Sequence, residues 1–289
     1  MTRSRFWCCS IAAAGLAAFC FVAKPAAAQF GGPNQAAIEE AKKAPTPMTA
    51  DGHPDLTGFW GNAGGFGGPL RGPSDVSADG KTVTVQLATP DVETKLEAGQ
   101  TARRQQAEMA NMPPYKPELL AKVKMLAADP VRTDPTLRCL PQGVPRLGAP
   151  TEIAQIPGAV VLLYANHNVY RVVPTDGRAH DKDADSMSDG DAVGRWEGNT
   201  LVVDITNFTD DTWMGPGYFH SAALHVVERY TREGNTLIYS MTADDPNVLT
   251  KPWAPRPRTM MLGKAGVHAG EDYPCVEKDI PHLVNSDHH

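Results

Sequence analysis

In the second half of the chain, apolar side chains recur at every second position, the period of a strand with one face in a core. Residues 193–197 and 200–206 make one such pair of segments, and residues 224–232 and 236–242 make another. A Gly-Asn stands between the members of each pair. One lies in Arg195-Trp196-Glu197-Gly198-Asn199-Thr200-Leu201, the other in Thr231-Arg232-Glu233-Gly234-Asn235-Thr236-Leu237. Glycine takes positive φ without steric cost and asparagine takes it more readily than most residues, so both dipeptides read as two-residue hairpin turns. Residues 159–173 read as one long strand, apolar on both faces at its start and therefore covered on both sides. Residues 256–262 form a shorter strand, and 82–87 and 152–156 add edges. Seven or eight strands in a meander are enough to close a small barrel and remove exposed edges. The pattern thus predicts a mainly β fold: an antiparallel up-and-down barrel.

The first half of the chain has a different texture. Residues 33–44 allow one short helix, and the glycine-dense stretch 62–73 reads as an irregular arm. Charged residues and alanines dominate 91–110. After Pro113 and Pro114, Pro117 opens a second helix over 118–127, with Leu119, Leu120, Val123 and Leu126 on one face. A helical insertion at about 90–130 packed on the sheet is the expectation.

Composition then adds a compartment. Arg3 and Arg5 precede an apolar run over 11–22, too short to span a bilayer, and Ala26-Ala27-Ala28 offers a small-residue cleavage site. Residues 1–28 therefore read as a signal peptide, and 29–289 as a single exported barrel domain, periplasmic or secreted. Removing Arg3, Arg5 and Lys24 from the 27 basic residues leaves 24 against 33 acidic ones, a formal charge of −9. That acidic balance argues against nucleic acid as a partner, and no second long apolar run offers a membrane span. Cys8, Cys9 and Cys20 leave with the signal. Cys139 and Cys275 remain as an even pair in an oxidising compartment, where one disulfide is expected.

Candidate chemistry follows from the strand faces. On the run 159–173, His167 and Arg171 share a face, a titratable group beside a fixed cation. They read either as ligand-binding residues or with Arg171 paired to an acid on a neighbouring strand. On 224–232, His225, Val227 and Arg229 share one face; Leu224, Val226, Glu228 and Tyr230 share the other. Histidine titrates near neutrality and can move protons, so His225, with His220 in the preceding loop and Glu228 nearby, makes a catalytic candidate set. Arg171, Arg229, Tyr230, His167 and Trp60 are the ligand-binding candidates. Residues 181–191 carry five aspartates, but Ser186 stands where an EF-hand needs Gly and Ala192 where it needs Glu, so they read as a solvated loop. The chain contains no P-loop, no nucleophile elbow, no haem attachment motif and no zinc-hydrolase spacing, and no cofactor or metal is predicted.

The segment Asp51-Gly52-His53-Pro54-Asp55-Leu56-Thr57-Gly58-Phe59-Trp60 resembles stretches shared by a family of exported bacterial proteins. So do Cys139-Leu140-Pro141-Gln142-Gly143-Val144-Pro145-Arg146, residues 194–204 and residues 220–229. That resemblance carries no activity and transfers no catalytic residue. More loosely, Gly58-x-Trp60 followed by a meander is similar to lipocalin/calycin-like barrels, which implies an interior that takes a small, largely apolar ligand. Three functions are therefore carried forward. The first is a barrel binding a small hydrophobic or aromatic molecule. The second is a cofactor-independent lyase, isomerase or hydratase using His225 with Glu228 or Arg171. The third is an envelope structural or assembly protein.

Overall fold

Nine strands pair into one sheet in the computed structural model, which describes residues 35–62, 112–165 and 168–270 and the backbone of 74–76 and 83–85. Helix α1 (Gln35–Lys42) precedes β1 (Gly58–Asn62). The strands β2 (Ser74–Val76) and β3 (Val83–Val85) pair with each other in a separate two-stranded sheet. Helices α2 (Leu120–Ala128) and α3 (Pro130–Thr133) follow. Then come β4 (Glu152–Ile156), β5 (Ala159–Tyr164), β6 (Val169–Pro174), β7 (Asp191–Glu197) and β8 (Thr200–Thr206). A small hairpin of β9 (Trp213–Gly215) and β10 (Tyr218–Phe219) leads to β11 (His225–Glu233), β12 (Thr236–Asp244) and β13 (Arg258–Leu262).

The sheet order is β6-β5-β4-β1-β13-β12-β11-β8-β7, and every laddered pair is antiparallel. Read as a ring, that order follows the chain, so this is the up-and-down, barrel-like sheet the pattern predicts, closed between first and last strands by β1 on β13. The ring has an odd number of strands. Antiparallel pairing all round therefore fails once, and β6 and β7 lie side by side in parallel without a ladder. A parallel connection needs a crossover of a dozen residues or more. Residues 175–190 supply it, carrying the chain from one end of the barrel to the other. At this seam, a Cβ on Gly194 would stand 2.9 Å from side-chain atoms of Val173 and Thr175, so only glycine permits the approach.

Both Gly-Asn hairpins are present, with Gly198 and Gly234 each at φ +57. The end holding these turns is plugged by the N-terminal segment. Asn235 N donates to Ala41 O at 2.9 Å, and Gly234 N donates to Thr46 Oγ1 at 2.8 Å. Trp60 is buried there, its Nε1 donating to Leu56 O at 2.9 Å and its ring 5.2 Å from the Arg232 guanidinium. At the other end, α2 packs on β10, and the Tyr115 ring stacks on Phe219 at 5.3 Å. The core inside the barrel is built from alternate residues such as Ile153, Val160, Leu162, Leu201, Val203, Ile205, Val226 and Leu237.

Four expectations need correction. The run 159–173 is two strands, because Asn168 adopts φ +53 and reverses the chain without a glycine. Its outer side is open: Tyr170 and Val172 are 68% and 52% exposed. Residues 58–62, outside every strand expected from the alternation, are an interior strand of the barrel, since β1 pairs on both sides. The strand near 82–87 is part of a separate two-stranded hairpin. The signal segment, the first helix of the insertion (91–110), His167 and Cys275 lie outside the described residues.

Candidate functional site

Among the described residues, the apolar interior holds a polar cluster of five side chains. Tyr164 ends β5, Arg171 lies on β6, Glu228 and Tyr230 on β11, and Tyr239 on β12. All five side chains point inward and are at most 5% exposed. Alternation places them: on β11, Val226, Glu228, Tyr230 and Arg232 are buried while His225 and Arg229 are exposed. Burying an unpaired charge is costly, and here the charges meet across the barrel. Arg171 Nη1 donates to Glu228 Oε2 at 2.8 Å and to Tyr164 Oη at 3.0 Å. Tyr239 Oη donates to Glu228 Oε1 at 3.0 Å. The pair thus ties β6 to β11 across the seam that lacks a ladder.

Two groups of the cluster are left over. Arg171 Nη2 and Tyr230 Oη are buried without a well-formed hydrogen bond among the described residues, although the Tyr230 hydroxyl lies near enough to Tyr164 to pull that hydroxyl's pKa down. Such orphaned polar atoms are rare in folded proteins and normally mark a bound water or ligand.

The electrostatics match a dry interior. Burial, with the Glu228 carboxylate next, raises the Tyr230 and Tyr239 hydroxyls well above the usual tyrosine range. Burial also pushes Tyr164 up to about 12, against the opposing pull of Arg171. For Arg171, burial favours proton loss, but Glu228 outweighs it and the guanidinium is held charged. Asp189, at the end of the crossover, is raised first by burial and then by Glu228, while Arg171 pulls it down.

The remaining candidates are dispersed. His225 sits on the outside of β11, its Nε2 3.1 Å from Asp204 Oδ1. Arg229 is also outside and donates to Glu197 Oε2 at 2.9 Å. His220 is buried between loops at the end that carries β9 and β10. Its Nδ1 is 3.0 Å from Ser221 O, which can only accept, so Nδ1 carries the proton and Nε2 accepts from Thr212 Oγ1 at 2.8 Å. Burial depresses its pKa. Trp60 belongs to the plugged end. Arg171, Glu228 and Tyr230 are therefore brought together; His225, His220, Arg229 and Trp60 are not. Because β11 separates His225 from Glu228 by facing, the catalytic set has no common cavity.

Tyr164 and Tyr239 are the members that sequence reasoning missed. Taken as one unbroken strand, residues 159–173 put Tyr164 on the face opposite Arg171, and the turn at Asn168 restores them to one face. Tyr239 carried a usable signal, since Leu237, Tyr239, Met241 and Ala243 alternate as the apolar face of β12.

The acidic loop forms the crossover, with Asp181, Asp183 and Asp185 exposed. His180 anchors it: Nδ1 lies 2.7 Å from Asp191 Oδ2 and Nε2 3.0 Å from Asp204 Oδ1. Among the described residues, no group of three or more His, Cys, Asp or Glu side chains is arranged to hold a metal ion, and no helix is long and apolar enough to cross a membrane. The chain matches no protein-family model, no curated protein and no solved structure.

Proposed function

We propose that this protein is an exported binding barrel, periplasmic or secreted, that takes a small apolar or aromatic molecule into its interior beside Arg171 and Tyr230. The observation that carries the reading is the pair of polar atoms without a well-formed hydrogen bond, Arg171 Nη2 and Tyr230 Oη, in a surround of buried aliphatic and aromatic side chains. Ligand sites in barrels combine an apolar lining with a few placed polar groups. The reading includes a disulfide between Cys139 and Cys275, formed after export.

The enzyme alternative loses its proposed base, because His225 faces away from Glu228 and Arg171. The test is native mass spectrometry of full-length protein purified from its own host, with titration of aromatic compounds followed by tryptophan fluorescence. A retained small molecule, or saturable quenching, supports the reading. Protein that is always empty and never quenched by the panel overturns it.

A further inference from the structure

Resting on that reading, we infer that the ligand is uncharged and presents a carbonyl-type oxygen, rather than a carboxylate or an amine, to Arg171 Nη2 and Tyr230 Oη. Three observations converge on this chemistry. First, the open guanidinium nitrogen is a donor. It can only donate, and the Tyr230 hydroxyl beside it can turn its proton the same way. The ligand must then supply an acceptor, which a pure hydrocarbon lacks. Second, the interior is already charge-balanced, because Glu228 Oε2 receives Arg171 Nη1 at 2.8 Å. A carboxylate would add an uncompensated negative charge to a site whose one cation is spent on Glu228, and burying such a charge is far costlier than burying a neutral oxygen. Third, an ammonium group would bring a second positive charge against the Arg171 guanidinium, whose counter-charge on Glu228 is already shared with Tyr239. A neutral carbonyl oxygen with two lone pairs accepts both donors and leaves the balance untouched.

The experiment uses an isosteric trio: 2-acetylnaphthalene, 2-isopropylnaphthalene and 2-naphthoate. Each is titrated into the full-length protein and into Tyr230→Phe at neutral pH by calorimetry. The ketone is expected to bind about tenfold or more tightly than the hydrocarbon and than the carboxylate, the range of one charge-assisted hydrogen bond plus a neutral one. Tyr230→Phe removes a hydroxyl that makes no well-formed hydrogen bond among the described residues, so it is expected to fold as the parent does while the ketone loses roughly 2- to 10-fold in affinity. The hydrocarbon should be unaffected by the substitution. Equal binding of ketone and hydrocarbon would mean that a buried water alone satisfies the two donors, and overturns the inference while leaving the binding barrel intact. Tightest binding by the naphthoate, or a ketone affinity indifferent to Tyr230→Phe, also overturns it. Failure of all three probes to bind overturns the binding reading and the inference together.

Discussion

At the scale of single residues, the interior cluster separates groups with partners from groups without, and stability should follow that division. Tyr239 donates to Glu228 Oε1 at 3.0 Å, so Tyr239→Phe leaves a buried carboxylate oxygen unpaired and should cost about 1–3 kcal/mol. Tyr230→Phe deletes a hydroxyl without a well-formed hydrogen bond among the described residues and should leave stability within about 0.5 kcal/mol of the parent or raise it. Glu228→Gln leaves the Arg171 guanidinium buried without its counter-charge and should cost about 3–5 kcal/mol. Urea midpoints of the three variants check the order; equal losses for the two tyrosine variants would mean that Tyr230 Oη has a partner. How much of this site could be read from the sequence follows from strand parity. On β11 the apolar face, with Leu224, Val226 and Tyr230, goes inward and takes Glu228 with it. The histidine and arginine on the other face have more conspicuous chemistry but belong to solvent. Arg171 was readable as a cation seeking an acid. Its tyrosine neighbour was hidden by a turn that contains no glycine or proline.

At the scale of elements, the twin hairpins offer a matched comparison. Gly198 and Gly234 have the same φ of +57 and the same Asn after them. A Cβ on Gly198 would meet nothing within 4 Å, whereas one on Gly234 would stand 2.6–2.7 Å from the carbonyl oxygens of Ala41, Lys42 and Ala44. Gly198→Ala therefore costs only the left-handed backbone, about 1–2 kcal/mol. Gly234→Ala adds a collision with the plugging segment and should cost about 2–5 kcal/mol in total. Thermal unfolding of the two variants checks this, and equal shifts would mean that the segment after α1 yields freely. The turns themselves were legible because two-residue loops have a strict chemical signature. Which turn is plugged was not, because that depends on where a distant segment returns. The same limit explains β1: Gly58 and Gly61 weaken any strand signal, and only the neighbours β4 and β13 make the segment a strand.

At the scale of the whole molecule, one seam and many buried phenols set how the fold responds to pH. His180 joins the crossover to Asp191 and Asp204, and the two carboxylates outweigh its burial and raise its pKa. A raised histidine contributes stability that is complete below its unfolded value, near 6.5, and is lost as pH climbs through the folded value. His220 is depressed by burial, so it has the opposite slope and costs stability as pH falls below about 6.5. His180→Gln should therefore flatten the decline of the urea midpoint above neutrality, and with it the loss of amide protection along residues 175–190. An unchanged pH profile would mean that the crossover is held by other contacts. Further up the scale, Tyr164, Tyr230 and Tyr239 keep their protons well past the point where the unfolded chain ionises, near pH 10. Their folded pKa values are raised, so the stability they carry is present below pH 10 and drains away above it. Each contributes a slope of about 1.4 kcal/mol per pH unit. Three such phenols acting together should turn alkaline titration into cooperative unfolding, in which the late phenolate absorbance at long ultraviolet wavelength rises in step with the loss of sheet signal. If that absorbance reached its full value while the sheet persisted, the interior would be open to hydroxide, and the dry, charge-balanced cluster at the centre of the barrel would not exist.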